Sequence, residues 1–412
     1  MEFALIGRKL GHSFSKEIHQ HMGLDYELVE LPDAEAVGEF CKHCTLKGFN
    51  VTIPYKETVM PYLDYIDDGA LAIGAVNTVA IRGGKKYGYN TDIIGIDFAM
   101  KMAGIVLKDA TVMILGGSGG TALTAKYLAE QNGAAKIIVV SRSGEVNYSN
   151  CYNIKDTNVI INCTPVGMYP NVDNTPIDLK RFSALQGVFD AVYNPLTTRL
   201  IAEAQAMGLS AANGLSMLVS QAKFARDHFC GNVIADAIIA EIIVKLEKER
   251  DNIVLIGMPS CGKSSVGAEL AEKLNKRFVD TDALIEARAG CTIPEIFSTH
   301  GEEYFRELEA TIIAEVSAQF NCIISTGGGA ILRESNRKHL RQNGFVVHLT
   351  RGIEKLSTAG RPLSSNVEAI KKLWAKRKDI YKSTCDCIVN NDGQLNDTVG
   401  EVIAAYGAHT RY

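Results

Sequence analysis

Gly257-Met258-Pro259-Ser260-Cys261-Gly262-Lys263-Ser264 decides how this chain is divided. It has the form G-x-x-x-x-G-K-[ST], in which backbone N–H groups cradle phosphates, the lysine reaches the β- and γ-phosphates and the hydroxyl ligates Mg2+. The apolar run Asn252-Ile253-Val254-Leu255-Ile256 before it reads as a buried strand. Residues 265–274 after it carry Val266, Leu270 and Leu274 at helical spacing. Strand, glycine loop and helix in that order are the context a nucleotide site requires. Gly257, Pro259, Ser260, Gly262, Lys263, Ser264 and Ser265 are therefore the expected nucleotide-binding residues, with Ser264 also on the metal. Such a loop follows the first strand of its own domain, so a new domain is expected from residue 251, and residues 1–250 need a separate account.

Beyond the loop, Phe278-Val279-Asp280-Thr281-Asp282 sets two acids at i and i+2 on a predicted strand end, where side chains point to one side. Alone, such a pair reads as a surface turn. At this distance after a phosphate loop, one acid near the metal and one near an acceptor hydroxyl fits better. Thr292-Ile293-Pro294-Glu295 has the form of a capping box that opens a helix. In Gly301-Glu302-Glu303-Tyr304-Phe305-Arg306 an arginine stands among acids, whose plain reading is a helix-face ion pair. Ile323-Ile324-Ser325-Thr326-Gly327-Gly328-Gly329 reads as a buried strand ending in three glycines, and a ligand is the economical reason for close backbone approach there. Val346-Val347-His348-Leu349 is a further strand.

A chain of 412 residues exceeds what one hydrophobic core usually serves. With 46% hydrophobic and 22% charged residues and a formal charge of −4, it has no electrostatic footprint for nucleic acid or an anionic membrane. No apolar stretch approaches a membrane span. The opening run Met1-Glu2-Phe3-Ala4-Leu5-Ile6-Gly7 lacks a basic flank and is expected to be a strand, not a signal peptide. Ten cysteines show no disulfide framework. Cys41-x-x-Cys44 and Cys385-x-Cys387 lie too far apart, and the second has the wrong spacing, for a zinc site. Ordinary thiols of a reducing cytoplasm are expected, in a monomer or homodimer whose partners are small molecules, not nucleic acid or membrane.

Ahead of the junction, residues 110–115 read as a short buried strand, Gly116-Gly117-Ser118-Gly119-Gly120 as a turn, residues 121–131 as a helix and 137–140 as a second strand. This βαβ unit with a glycine-rich first turn is the dinucleotide-binding arrangement, although it lacks the strict G-x-G-x-x-G. An NAD site would place an acid after the second strand; this chain has Ser141-Arg142-Ser143, and a guanidinium flanked by hydroxyls suits the extra phosphate of NADP. Earlier still, strands are expected over 3–7 and 26–31. Between them His12-Ser13-Phe14-Ser15 enters a helix over 16–22. Ser13 and Ser15 either cap that helix or donate to a bound carboxylate, and on these residues alone the cap is favoured. Lys56, after Asn50-Val51-Thr52-Ile53-Pro54-Tyr55, reads on its own as a solvated charge. Residues 233–250 read as a helix with Ile234, Ile238, Ile242 and Leu246 on one face, running into the strand before the phosphate loop without a linker.

Taken together, residues 1–250 resemble shikimate dehydrogenase. The resemblance rests on His12-Ser13-x-Ser15, Asn50-Val51-Thr52-x-Pro54-x-Lys56, Gly74-Ala75-Val76-Asn77-Thr78 and Asn90-Thr91-Asp92. It continues through Asn162-Cys163-Thr164-Pro165-Val166-Gly167-Met168, Val192-Tyr193-Asn194-Pro195-Leu196 and the segment 213–222. Residues 252–412 resemble shikimate kinase, on the phosphate loop, Asp280 and Asp282, Arg306, the three glycines, Arg361-Pro362-Leu363 and the segment 375–381.

The resemblance implies an α/β chain. A substrate lobe would comprise residues 1–100 plus the C-terminal helices, and a Rossmann NADP-binding lobe residues 101–212. A P-loop kinase domain with a parallel sheet and a lid would follow over 251–412. It implies that Ser13 and Ser15 hold the substrate carboxylate, that Thr52, Asn77, Tyr193 and Gln221 hold other substrate oxygens, and that Lys56 and Asp92 are the catalytic pair. Gly117, Ser118, Gly119, Gly120, Ser141, Arg142 and Gly214 fall to the dinucleotide. In the kinase half it implies Asp280 near Mg2+, Asp282 on the acceptor hydroxyl, and Arg306, Gly327, Gly328, Gly329 and Arg377 on the acceptor. Lys263 and the lid Arg361 would stabilise the transferring phosphoryl group. Departures are Lys9 and Lys16 where the family often has proline, and an interval of fifteen residues (144–158) between the second and third dinucleotide strands, which implies a trimmed βα element. The lid, 355–361, is short. The expected function is NADPH-dependent reduction of 3-dehydroshikimate followed by MgATP-dependent phosphorylation of shikimate. The alternatives are an NAD-dependent quinate/shikimate dehydrogenase, or a regulatory ligand-binding half, fused to another small-hydroxyacid kinase such as gluconate kinase.

Overall fold

The structure, a computed structural model, describes residues 1–11, 13–117, 119–356 and 367–409. His12, Ser118 and Arg361, with most of the expected lid, lie outside the described residues. The chain divides into two compact units, Met1–Lys245 and Leu246–Tyr412.

The division falls inside the helix Ala237–Arg250, which begins later than the apolar spacing predicts. Val233 is exposed, and the buried apolar residues are Ile239, Ile242, Ile243 and Leu246, so the expected face holds at Ile242 and Leu246 and not at Ile234 and Ile238. Two local features delay the start. Gly231, at φ 67°, ends the preceding helix Gly214–Cys230 in the left-handed conformation that favours glycine. Asp236 then reaches back to Lys223 Nζ at 2.5 Å, which holds the turn open until 237.

The first unit contains two sheets. One has six strands: β1 (Phe3–Gly7), β2 (Tyr26–Glu30), β3 (Gly48–Val51), β4 (Tyr65–Ile66), β5 (Thr78–Arg82) and β6 (Lys85–Tyr89), in the order β2-β1-β3-β5-β6-β4. β1 to β3 run parallel, and β5 and β6 form an antiparallel hairpin. The other has five parallel strands, β7 (Thr111–Leu115), β8 (Lys136–Val140), β9 (Val159–Asn162), β10 (Gly187–Asp190) and β11 (Ser210–Ala212), in the order β11-β10-β9-β7-β8. β7 and β9 are buried at every position, as central parallel strands covered on both faces must be. The chain reverses its direction of travel across the sheet between β7 and β9, the switch point where open α/β sheets bind ligands. The crossover from β8 to β9 carries only the 3-10 turn Cys151–Asn153, as the short interval predicts.

The second unit is one parallel sheet, β12 (Asn252–Ile256), β13 (Arg277–Asp280), β14 (Cys322–Ser325), β15 (Gly344–Thr350) and β16 (Cys387–Asn390), in the order β13-β14-β12-β15-β16. β12 and β14 are buried throughout. Its core contains an unusual polar member. His348 of β15 is 2% exposed and stacks on Tyr381 at 4.7 Å between ring centroids and on Trp374 at 6.1 Å. Neither ring nitrogen has a hydrogen-bond partner.

Burial, with the nearby charge of Lys263 adding to it, lowers the His348 pKa to about 4. The folded-state value lies below the unfolded one, so the unfolded chain takes up the proton first. The stability tied to the neutral ring is present above pH 6.5 and is lost as pH falls toward 4, by about 3 kcal/mol. Trp374, the single tryptophan of the chain, reports on this unit alone. Its urea midpoint is expected to drop between neutral pH and pH about 4.5, and His348→Phe to flatten that dependence. An unaltered pH dependence in the variant would assign the effect to other groups.

Candidate active sites

Lys56 and Asp92 meet inside the first unit, Nζ to Oδ2 at 2.5 Å. Lys56 follows β3, and Asp92 is the first residue of the helix Asp92–Met102, reached through the β5–β6 hairpin. Asn77, just ahead of β5, donates its Nδ2 to Asp92 Oδ1 at 2.9 Å and accepts on its Oδ1 from the Thr91 N–H at 2.8 Å. Both oxygens of Asp92 are thus engaged, and its carboxylate presents a single orientation to Lys56.

A cavity of about 390 Å³ surrounds the pair and is lined by Ser13, Ser15, Thr52, Asn77, Tyr193 and Gln221. The expected substrate residues of the first unit therefore share one space. Neither serine is the N-cap of the helix Ser15–His21; that position is Phe14, which makes no side-chain cap. Ser13 Oγ accepts from the Ser15 N–H, the first of that helix, at 3.3 Å, so it serves the helix start in part, with the two hydroxyls 3.2 Å apart. Gln221 arrives by close helix packing: a Cβ on Gly95 would lie 2.8 Å from the Met217 carbonyl, so only glycine lets the helices Asp92–Met102 and Gly214–Cys230 approach this far.

The residues expected to meet the dinucleotide lie at the ends of β7, β8 and β9. Gly116 and Gly117 have φ of 126° and 63°. A Cβ on Gly116 would lie 3.2 Å from the Cys163 carbonyl carbon, and one on Gly117 would lie 3.0 Å from Ser141 Cβ, so the turn threads between the two neighbouring strand ends. Arg142 is exposed just beyond β8. Gly119 is the N-cap of the helix Gly120–Gln131 and makes no side-chain cap, and the first-turn N–H groups of a helix suit a phosphate. A Cβ on Gly120 would lie 3.7 Å from Lys56 Cδ, and Thr121 lines the same cavity as Lys56. The N-terminus of that helix thus adjoins the Lys56–Asp92 pair. Gly214 also lines the cavity, and its lack of a side chain is required by the Ala191 carbonyl, 2.1 Å from where its Cβ would be.

Asp190, buried at the end of β10, ties this region together. It accepts from Thr198 Oγ1 at 2.6 Å, Asn162 Nδ2 at 2.9 Å and the Val192 N–H at 3.1 Å. Burial raises its pKa to about 6, against those three hydrogen bonds. Nothing in its local sequence distinguishes it from a surface acid.

In the second unit the phosphate loop has the expected strand-to-helix form. Gly257, Ser260 and Gly262 take positive φ, and the helix Lys263–Leu274 follows. Lys263 Nζ donates to the Gly257 and Met258 carbonyls at 3.0 Å each. Ser264 Oγ donates to Asp280 Oδ2 at 2.7 Å. Ser260, Gly262, Lys263, Ser264, Ser265, Asp280 and Asp282 line a cavity of about 300 Å³. A hydroxyl beside a carboxylate offers the hard oxygen donors that Mg2+ takes, so Ser264 and Asp280 fit that ion.

Two expectations need correction here. Asp280 and Asp282 are not neighbours on one face of a strand. β13 ends at Asp280, which caps the helix Thr281–Ala289 by accepting from the Asp282 and Ala283 N–H groups, so Asp282 sits in the first helical turn. The three glycines make room for protein side chains as well as for any ligand. Added Cβ atoms would lie 2.7 Å from Asp282 Oδ1 at Gly327, 2.7 Å from Pro259 Cδ at Gly328 and 2.5 Å from Arg306 Nη1 at Gly329. Arg377 Nη1 and the Tyr381 hydroxyl both donate to the Gly328 carbonyl, at 2.9 and 2.6 Å.

Arg306 pairs with Glu302 at 3.1 Å and with Glu309 at 2.8 Å. Burial opposes its charge, but the carboxylate of Glu309, then that of Glu302, outweighs it and raises its pKa. Glu309 is buried, and its own pKa is raised by burial, with Arg306 opposing and Asp282 adding to the rise. The i,i+3 spacing from Arg306 was the available sequence signal for Glu309, but such spacings are too common to single it out.

Residues 5–79 match the family model of the shikimate dehydrogenase substrate binding domain, and residues 259–406 that of shikimate kinase. Over 240 residues the chain is 39% identical to shikimate dehydrogenase (NADP(+)) from Clostridium perfringens strain ATCC 13124, which covers 53% of this chain and 88% of the relative. The chain belongs to the shikimate dehydrogenase family. A solved chorismate mutase/shikimate 5-dehydrogenase fusion protein from Clostridium acetobutylicum is 36% identical with a TM-score of 0.56, over 60% of this chain and 97% of that one. Shikimate 5-dehydrogenase from Thermus thermophilus, in complex with NADP(H) and shikimate, is 28% identical with a TM-score of 0.52, over 59% and 98%. The shikimate dehydrogenase unit is thus followed by a shikimate kinase domain, and neither a quinate dehydrogenase nor a regulatory half is favoured. No helix among the described residues is long and apolar enough to cross a membrane.

Proposed function

We propose that this chain is a bifunctional enzyme of aromatic amino-acid biosynthesis. Its first unit reduces 3-dehydroshikimate to shikimate with NADPH, and its second phosphorylates shikimate at the hydroxyl so created, with MgATP. The carrying observation is the junction at Lys56, where an ammonium–carboxylate pair adjoins the N-terminus of the dinucleotide helix inside one cavity. In the proposed division of labour, residues 1–250 serve the dehydrogenase and 251–412 the kinase. All ten cysteines are unpaired, which supports a reducing cytoplasm.

In the reduction, Ser13 and Ser15 hold the substrate carboxylate, and Thr52, Asn77, Tyr193 and Gln221 orient its oxygens. Bound NADPH supplies the two electrons of the reduction. The Lys56–Asp92 pair supplies the proton to the developing alkoxide and stabilises its charge meanwhile. Gly117, Gly119, Gly120 and Gly214 give the dinucleotide backbone access, and Arg142, with Ser141, meets the 2′-phosphate. In the second reaction Lys263 and the loop N–H groups hold the polyphosphate, and Ser264 and Asp280 hold Mg2+, which neutralises phosphate charge. Asp282 accepts the proton of the attacking hydroxyl, while Arg306 and Arg377, beside Gly327 to Gly329, bind the acceptor carboxylate.

The purified chain is expected to consume NADPH with 3-dehydroshikimate and to release ADP with shikimate, each assayed alone and then in sequence. Failure of either assay would remove that half of the reading. Within the acceptor site, Gly329→Ala places a methyl against the Arg306 guanidinium. Its shikimate KM in the kinase assay is expected to rise about tenfold, as for a displaced charged hydrogen bond. An unchanged KM would show that Arg306 is not held for the acceptor.

A further inference from the structure

We propose that Arg351, immediately beyond β15, binds the polyphosphate of the nucleotide from the side of the cavity opposite the acceptor arginines. This rests on reading the second unit as a nucleotide-dependent kinase. Arg351 lines the same cavity as Lys263, Ser264, Asp280 and Asp282. Its position follows from strand register. β15 lies beside β12, with His348 opposite Ile256, so Arg351 comes level with the start of the phosphate loop. The two strand ends are pressed together there: a Cβ on Gly257 would lie 2.3 Å from the Leu349 carbonyl.

Charge favours a phosphate as its ligand. Two cations and two carboxylates line the cavity among the described residues. The ammonium of Lys263 rests on two loop carbonyls. Arg351 makes no hydrogen bond or ion pair with any described residue. Asp392, whose carboxylate meets the next residue, is already engaged: its Oδ1 accepts from the Gly352 N–H at 2.9 Å, and Lys355 Nζ lies 3.4 Å from that oxygen. The Asp392 contact, with the Asn391 N–H donating to the Thr350 carbonyl at 2.8 Å, fixes the backbone on both sides of Arg351. An exposed guanidinium on a fixed backbone at the cavity wall suits two phosphate oxygens in bidentate contact.

Sheet order selects the nucleotide over the acceptor. In β14-β12-β15 the phosphate loop follows the middle strand, the three glycines follow β14 and Arg351 follows β15. Arg306 and Arg377 contact the glycine turn, so the loop stands between them and Arg351.

The test is calorimetric titration of the full chain with MgATP, MgADP and adenosine, alongside the shikimate KM. Arg351→Ala is expected to weaken MgATP about tenfold, leave adenosine unchanged and leave the shikimate KM within about twofold, with Arg351→Lys recovering part of the loss. Unchanged MgATP affinity, an equal loss for adenosine, or a loss confined to the shikimate KM would each overturn the proposal. A wild-type chain that bound MgATP without phosphorylating shikimate would sink the kinase reading, while the titrations would still decide the role of Arg351.

Discussion

Lys56→Ala is expected to lower kcat for reduction of 3-dehydroshikimate about a thousandfold, the middle of the range for removing a positioned proton donor. The argument is geometric. Lys56 is the cation in contact with Asp92, 2.5 Å away, and the pair sits against the first turn of the dinucleotide helix. Without the ammonium, Asp92 keeps its Asn77 hydrogen bond but loses its charge partner. The site then has neither a donor for the alkoxide nor a counter-charge for it. NADPH affinity should change little, because Gly116, Gly117 and Arg142 are untouched. Initial rates of NADPH oxidation decide it, with phosphorylation of added shikimate by the same preparation as the folding control. Dehydrogenase activity within about tenfold of wild type would refute the assigned role.

A comparable loss is expected in the other unit for Asp282→Asn. The substitution keeps shape, and the hydrogen bond that builds the local helix runs from the Asp282 backbone N–H to Asp280, not through the Asp282 side chain. What disappears is an acceptor for the proton of the attacking hydroxyl. Shikimate-dependent ADP release is expected to fall about a thousandfold in kcat, with MgATP binding unaltered. If kcat fell by less than about tenfold, Asp282 would be an orienting neighbour rather than the proton acceptor.

The parts legible from sequence alone were those in which backbone geometry and a local motif coincide. β12 with its loop and helix, and β7 with its glycine turn, announce themselves because close backbone approach to phosphate demands glycine at set offsets. Lys56 and Asp92 are 36 positions apart and meet only after a hairpin folds; Lys56 alone reads as a solvated charge, and only the family resemblance pairs it with Asp92. Asp280 and Asp282 read as a strand pair because the i,i+2 pattern fits a pleat as well as it fits a capped helix start. The glycines at 327–329 read as ligand contacts because sequence cannot show that Asp282, Pro259 and Arg306 crowd them. Asp190, His348 and Arg351 carry no local signature, because each acquires its character from residues remote in sequence, by burial or by strand register; for Glu309 only its burial comes from afar.

Asp280 divides its two oxygens between two tasks. One receives the Ser264 hydroxyl on the metal side, and the other receives the backbone N–H of Asp282. A change at 280 therefore cannot stay local: the same carboxylate that would face the ion also sets where the acceptor-side acid begins its helix. The dependence runs one way: the side chain at 282 can change without touching that bond, because its backbone N–H is the donor, whereas a change at 280 disturbs both sides. For a lineage accumulating substitutions, position 280 is therefore the more constrained of the two.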